Sequence, residues 1–416
     1  MKKLLIILFL LLPQITFAET RQIILFGREA IETSGNNFSM ISGSQGSSTT
    51  EASFQNVHPS AGVFTNLNVL LSAAPNNGAG SQSITFTLRV AGASSALACT
   101  ITEAQTSCTD TDAVAVTAGQ LIGWLQTAAN TPAAANIEAS VTYIDTTANY
   151  SAVFHGNSTN LDTANNIYLS LSQGDFNTTE NLVQVPIPTT ATLRTMYVSL
   201  NGSPDNGAGT QSYVLTMWKN GSAPASGLTC TISETATACN DTTNTVSVVP
   251  GDTITIETDP VGTPTTRRVR ASFVFDSTVE GEFLIPGGRT ENMSTTTTQY
   301  KHLAAANGNW NVDETIVDQI SNYCILKAFY VDIDGDPDLG VGIQGYLLTV
   351  RDDAGNTGCI CEIDSGATAC NDTCSDEVIL NSQMAVEQQP LVLPTAREAH
   401  WGVLGFNNPR RIVLIN

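Results

Sequence analysis

Charge is scarce in this sequence, and positive charge scarcest. Only 13% of its 416 residues are charged, and 17 Lys and Arg face 38 Asp and Glu, a formal net charge of −21 at pH 7. A chain so acidic repels nucleic acid and anionic lipid, so both are poor partners and no nucleic acid is expected. Long amphipathic helices need charged faces, and no stretch supplies one. Histidine is as sparse: His58, His155, His302 and His400 lie in no metal-ligand spacing and beside no nucleophile motif. No catalytic constellation is visible, although a carboxylate pair drawn from distant strands would leave no local trace. After the first residues no apolar run reaches the roughly 18 residues a membrane span requires, so no transmembrane segment is expected.

What the chain does have begins at its N-terminus. Lys2 and Lys3 precede an apolar run from Leu4 to Leu12, and Thr16-Phe17-Ala18 carries the small residues of a cleavage site. Residues 1–18 therefore read as a bacterial-type secretory signal peptide, cleaved on export. No Cys follows to make a lipoprotein. The protein is expected to be secreted or at the cell surface, and losing Lys2 and Lys3 takes the charge from −21 to −23.

Ser, Thr, Asn and Gly fill the room that charge leaves, and short β-branched runs broken by Gly, Asn and Pro recur throughout. This is the pattern of an all-β chain. One stretch recurs as well. Cys99 to Cys108, Cys230 to Cys239 and Cys361 to Cys370 share one spacing and lie 131 residues apart, from 99 to 230 and from 230 to 361. The chain is thus an array of three similar units, at residues 19–147, 148–279 and 280–408, with a tail strand at 409–416.

Within each unit the segments match in order. An apolar strand ended by Gly (Gln22 to Gly27, Tyr150 to Gly156, Glu282 to Gly287) leads into a polar stretch, longest at Ser34 to Thr50 and Thr290 to Gln299. Those stretches lack the apolar content for a core and are expected at the surface. A Gly-rich turn follows at Pro75 to Gly80, Pro204 to Gly209 and Pro337 to Gly342. Then Ile84, Phe86 and Leu88 match Tyr213, Leu215 and Met217, and Tyr346, Leu348 and Val350. Period-two alternation marks a strand with one buried face. The other face carries Arg89, Trp218 and Arg351 at one shared position, and an exposed Trp there would make a sugar platform.

Each Cys pair is expected to close a β-hairpin as a disulfide, because an export signal and the absence of nearby His disfavour a metal site. Closing a loop of about ten residues stabilises by about 2.7 kcal/mol on the chain-entropy estimate. The third unit adds Cys324, Cys359 and Cys374, nine Cys in all. A Cys359–Cys374 bridge and a Cys324–Cys359 bridge are both open, and the odd total leaves one thiol free or intermolecular. The third unit also holds Asp332, Asp334, Asp336 and Asp338 at alternate positions. Hard oxygens so spaced suit Ca²⁺, the one cofactor the sequence hints at, or else form a charged turn. An EF-hand is excluded, since Pro337 and Ile343 stand where that loop needs Gly and Glu.

About eight strands in roughly 130 residues fit three tandem antiparallel β-sandwich domains of jelly-roll type. An apolar Gly-x-Phe strand, a strand ending in Asn-Gly (Trp218 to Gly221) and a Gly-Asp strand (Gly251 to Ile256) follow in the order of C1q/TNF-like jelly rolls, which the units resemble. Because that family forms trimers, the resemblance implies that the three units pack as an intramolecular pseudo-trimer. Beads on a string and self-assembly are the other arrangements. The function expected is non-catalytic: surface structure, adhesion, or binding of a surface protein or glycan, with avidity from repetition. Carbohydrate binding through the sandwich loops, with or without Ca²⁺, comes second, and a glycan-directed hydrolase on the same scaffold third.

Overall fold

The computed structural model describes residues 20–407, apart from 29, 43–45, 79, 148, 157–158, 172–175, 208, 226, 290, 305–308, 318, 339–343 and 354. The signal-peptide segment 1–18 and the tail 409–416 lie outside the described residues.

Alternation in the sequence becomes two-faced sheet. In the first unit eight principal strands run Arg21–Arg28, Gly35–Ser39, Gly62–Leu71, Ser83–Val90, Ala93–Thr102, Ser107–Asp110, Leu121–Ala129 and Ile137–Asp145. One sheet takes them in the order first, eighth, third, sixth, and the other second, seventh, fourth, fifth. All pairings are antiparallel, and the second and third units keep both orders. This is a jelly roll, formed three times. Ile84, Phe86 and Leu88 and their counterparts all face the core and are buried. The Gly-rich turns use left-handed backbone at Gly78 (φ 87°), Gly80 (76°), Gly207 (80°) and Gly209 (75°), where a side chain would be strained.

The polar segment Ser34 to Thr50 departs from its surface reading. Gly35–Ser39 is the second strand, paired with Leu121–Ala129, and Met40 and Ile41 beyond it are fully buried. Backbone pairing tolerates polar side chains on an edge strand, so two apolar residues are enough to seat it. The Trp124 indole N–H donates to the Ile41 carbonyl at 3.3 Å.

The Cys pairs sit at corners. Cys99 belongs to a strand of one sheet and Cys108 to the next strand of the other, so the disulfide closing this turn also ties the two sheets together. Cys230–Cys239 and Cys361–Cys370 do the same, and Cys359–Cys374 adds a second tie in the third unit. Cys324 is the free cysteine and is buried, which resolves the two pairings left open by the sequence.

A second device accompanies every bridge. The Asp two residues past the second Cys accepts the backbone N–H of the residue before the first. Asp110 takes Ala98 N–H at 2.7 Å, Asp241 takes Thr229 at 3.0 Å, Asp372 takes Ile360 at 2.8 Å and Asp376 takes Gly358 at 2.8 Å. The extra Cys359–Cys374 bridge is therefore a second copy of one corner motif, Cys-x-Asp.

The three units close into a ring. The short strand Asn56–Val57 of the first unit packs on the second unit's sheet, against Tyr150–Gly156, Ala191–Leu200 and Val269–Ser277. Val185–Pro186 packs in the same way on the third unit, and Gln319–Ile320 of the third returns to the first. At the centre the strands Arg21–Arg28, Tyr150–Gly156 and Glu282–Arg289 touch one another around a cavity of only about 20 Å³.

This explains the unbroken apolar run at Ile23 to Phe26. Ile24 and Phe26 enter the first unit's core, while Ile23 and Leu25 enter the third's. Ala152 and Phe154 of the second unit lie in the first unit's core, and Leu284 of the third lies in the second's. A strand buried on both faces loses its polar alternation.

Polar contacts mark each seam. The Gln22 side-chain amide donates to Ala152 O at 2.7 Å and accepts from Ala152 N–H at 2.8 Å. Gln383 donates to both Glu138 oxygens at 3.1 Å. Thr189 donates to Glu282 at 3.1 Å.

Candidate binding sites on the ring

The four alternate aspartates do not converge. Asp332 lies in the strand Cys324–Ile333, and its carboxylate accepts the Gln184 amide from the second unit, across a seam. Burial raises its pKa to about 6, with Asp334 adding to the rise. Asp334 accepts the Glu398 N–H at 3.1 Å. Asp336 accepts the N–H groups of Asp338 and Gly366, at 2.9 and 3.1 Å, and Asp338 accepts the Ser365 hydroxyl. Each carboxylate is thus turned toward a partner of its own. Among the described residues, the group of metal-type ligands lying within 4.8 Å of one another is Cys359, Cys374 and Asp376. Its two sulfurs are joined in the corner disulfide, so it is a structural staple.

All four histidines are wholly buried. Nδ1–H of His58 donates to Ser60 O at 2.8 Å, and that of His155 to Ser170 O at 2.5 Å. Burial lowers the pKa of both to about 4, and that of His302 and His400 to about 3. His58 also packs against the ring of Phe154 from the second unit, with centroids 5.5 Å apart. They are neutral packing groups at ordinary pH. The Cys324 thiol, pushed up to about 12 by burial, is no nucleophile either.

The shared position of Arg89, Trp218 and Arg351 gathers more than the sequence foretold. In the first unit the Arg89 Nε and Nη2 groups donate to the two oxygens of Glu51, at 3.0 and 2.9 Å, and the guanidinium sits 5.9 Å from the Phe38 ring. In the third, Arg351 donates to Glu314 at 2.7 Å and to Glu387 at 2.9 Å, 5.7 Å from the Tyr300 ring. Glu51, Glu180 and Glu314 each open the same one-turn 3₁₀ element. Phe38, Tyr168 and Tyr300 occupy one position of the second strand, opposite Leu125, Glu257 and Glu387.

In the second unit Trp218 replaces the arginine. Its indole N–H donates to Glu257 at 2.9 Å and its ring meets Tyr168 edge-on at 5.1 Å, all half-buried. Among the described residues no cation pairs with the Glu180 carboxyl, and its Oε1 is buried without a hydrogen-bond partner. Burial and the nearby Asp332 raise its pKa. The glutamates were the missed residues. Their signal was a Glu 38 positions before Arg89 and Trp218 and 37 before Arg351, at Glu51, Glu180 and Glu314.

No protein-family model matches this sequence, and no curated protein matches it. A solved chain described under "The Triple Jelly Roll Fold and Turret Assembly in an Archaeal Virus" aligns over 84% of this chain and 79% of its own, at 12% identity and TM-score 0.17. A superposition that loose carries no argument, and the jelly-roll architecture rests on the strand order itself. Among the described residues no helix is long and apolar enough to cross a membrane.

Proposed function

We propose that the protein is an exported, non-catalytic ring of three jelly rolls that serves surface structure, adhesion or ligand binding as one preassembled intramolecular pseudo-trimer. The observation that carries this reading is the exchange of core residues: Leu25 completes the third unit, Phe154 the first and Leu284 the second. Such exchange makes the ring, and not the single unit, the functional body. The trimeric habit of C1q/TNF-like jelly rolls agrees with it as an analogy only. Four disulfides support an oxidising compartment and hence export. Burial of every histidine withdraws the imidazoles from acid–base chemistry at a surface site.

Carbohydrate binding is the second reading, favoured by the half-exposed Tyr168–Trp218 pair, and binding on a glycan array would support it. Calcium belongs to this proposal through Asp332, Asp334, Asp336 and Asp338, which would have to leave their present hydrogen-bond partners to converge on an ion. Light scattering with small-angle X-ray scattering, with and without Ca²⁺, tests the main reading. A monomer with a radius of gyration near 21 Å, the value for a compact chain of this length, is expected. An elongated profile of three separate beads would overturn it, and a change confined to Ca²⁺ would support the cation at the acidic loop.

A further inference from the structure

The three units offer an internal comparison. At one equivalent position two of them hold a guanidinium between a glutamate and an aromatic ring, and those guanidinium groups are the chain's own Arg89 and Arg351. The second unit keeps the glutamate, the aromatic ring and the strand geometry but has Trp218 in place of Arg. The indole N–H answers Glu257, whose other oxygen accepts Asn166 at 2.8 Å. Among the described residues no cation pairs with Glu180, whose Oε1 is buried and unpartnered near the acidic Asp332 across the seam. A buried carboxylate without a partner is costly, whereas one joined to a cation is not. An aromatic pair next to a carboxylate also attracts cations through its ring quadrupoles.

We propose that this position of the second unit is a receptor site for a guanidinium group supplied from outside the chain, held by Glu180 against Tyr168 and Trp218. Arg89 and Arg351 show the chemistry that the equivalent positions accept: a planar cation, bonded to the glutamate and lying near the ring. A planar fork fits a carboxylate better than a spherical ammonium does. Calcium fits poorly, since the site offers few converging oxygens and two aromatic rings. The site goes beyond the structural reading above and does not rest on it, because a compact ring without this site remains a ring.

Tryptophan emission reads the site out. Trp124, Trp310 and Trp401 are buried, whereas Trp218 is half-exposed. The full-length, disulfide-intact protein is titrated with methylguanidinium chloride at constant ionic strength. Saturable change in the millimolar range is expected, since one ion pair and one ring contact give roughly 1 mM affinity. Glu180→Gln should weaken it at least about tenfold. Trp218→Arg removes this reporter, so its binding of methylguanidinium is read by ligand-observed NMR; it should abolish binding and raise the thermal midpoint, because the chain then supplies its own guanidinium. Circular dichroism checks that both variants fold. Lack of saturation, equal saturation by tetramethylammonium or Ca²⁺, or undiminished binding by Glu180→Gln would each overturn the proposal. So would a Trp218→Arg protein that still binds.

Discussion

Leu25 and Phe26 are neighbours in one strand, yet they belong to different cores. Leu25 lies among Phe329, Val331, Trp401 and Val403 of the third unit, and Phe26 among Phe64, Phe86 and Trp124 of the first. Each is 1% exposed. Truncating either to Ala removes the burial of the side chain and leaves a void that close-packed neighbours fill only in part. The expected cost is about 2–5 kcal/mol for Leu25→Ala and about 3–5 kcal/mol for Phe26→Ala. Size therefore does not separate the two variants; location does. Native-state hydrogen exchange read by mass spectrometry supplies the location. Leu25→Ala should speed exchange in Cys324–Ile333 and Ala399–Phe406, although the substitution lies in the first unit. Phe26→Ala should act on Ser83–Val90 and Leu121–Ala129. If Leu25→Ala loosens the first unit alone, or costs under about 1 kcal/mol, the exchange of core residues between units is refuted.

Acid should destabilise the ring. The folded-state pKa values of the histidines lie near 4 and 3, below the ordinary 6.5, so the unfolded chain takes up protons first. Their stabilisation is whole above pH 6.5 and is lost as pH falls toward 4 and 3, at up to about 1.4 kcal/mol per unit for each histidine. Asp332, raised to about 6, works the other way, as do Asp145, Glu180 and Asp276, whose carboxyls burial also raises, but between pH 7 and 5 the four histidines carry the larger total. Urea midpoints at pH 7, 6 and 5 should fall in that order, and a flat series would contradict the burial argument. At the corners, Cys230→Ala with Cys239→Ala should cost about 2–3 kcal/mol in chemical denaturation. Asp241→Ala should cost about 1–3 kcal/mol by leaving the Thr229 N–H without its acceptor, and no change in either variant would show the corner to be dispensable.

Much of the fold was legible because it rests on local periodicities. The Cys spacing marked the units, and the alternation from Ile84 to Leu88 marked the buried face of a strand. The left-handed glycines of the turns could be placed because few other residues tolerate that backbone. What could not be read depends on partners distant in sequence. The run Ile23 to Phe26 announces burial on both sides, but not that its second side belongs to a unit some 300 residues further on. Met40 and Ile41 were hidden in polar surroundings because backbone pairing, rather than composition, seats their strand. The Asp332 to Asp338 spacing showed four acids, while the partners that turn them apart, Gln184, Glu398 and Ser365, come from elsewhere. Likewise the position of Arg89, Trp218 and Arg351 was visible, but not the glutamates that give it meaning.

The return of Gln319–Ile320 to the first unit has a consequence for assembly. A head-to-tail contact that fails to close leaves one donor surface and one acceptor surface free, and such molecules grow into filaments. Here the last donor finds the first acceptor, so the surfaces that join the units cannot also polymerise them, and any fibre must be built through the outer faces. Because the units are links of one chain, the connecting segments set their local concentration. Dilution, which dissociates a trimer of separate chains, leaves this one whole.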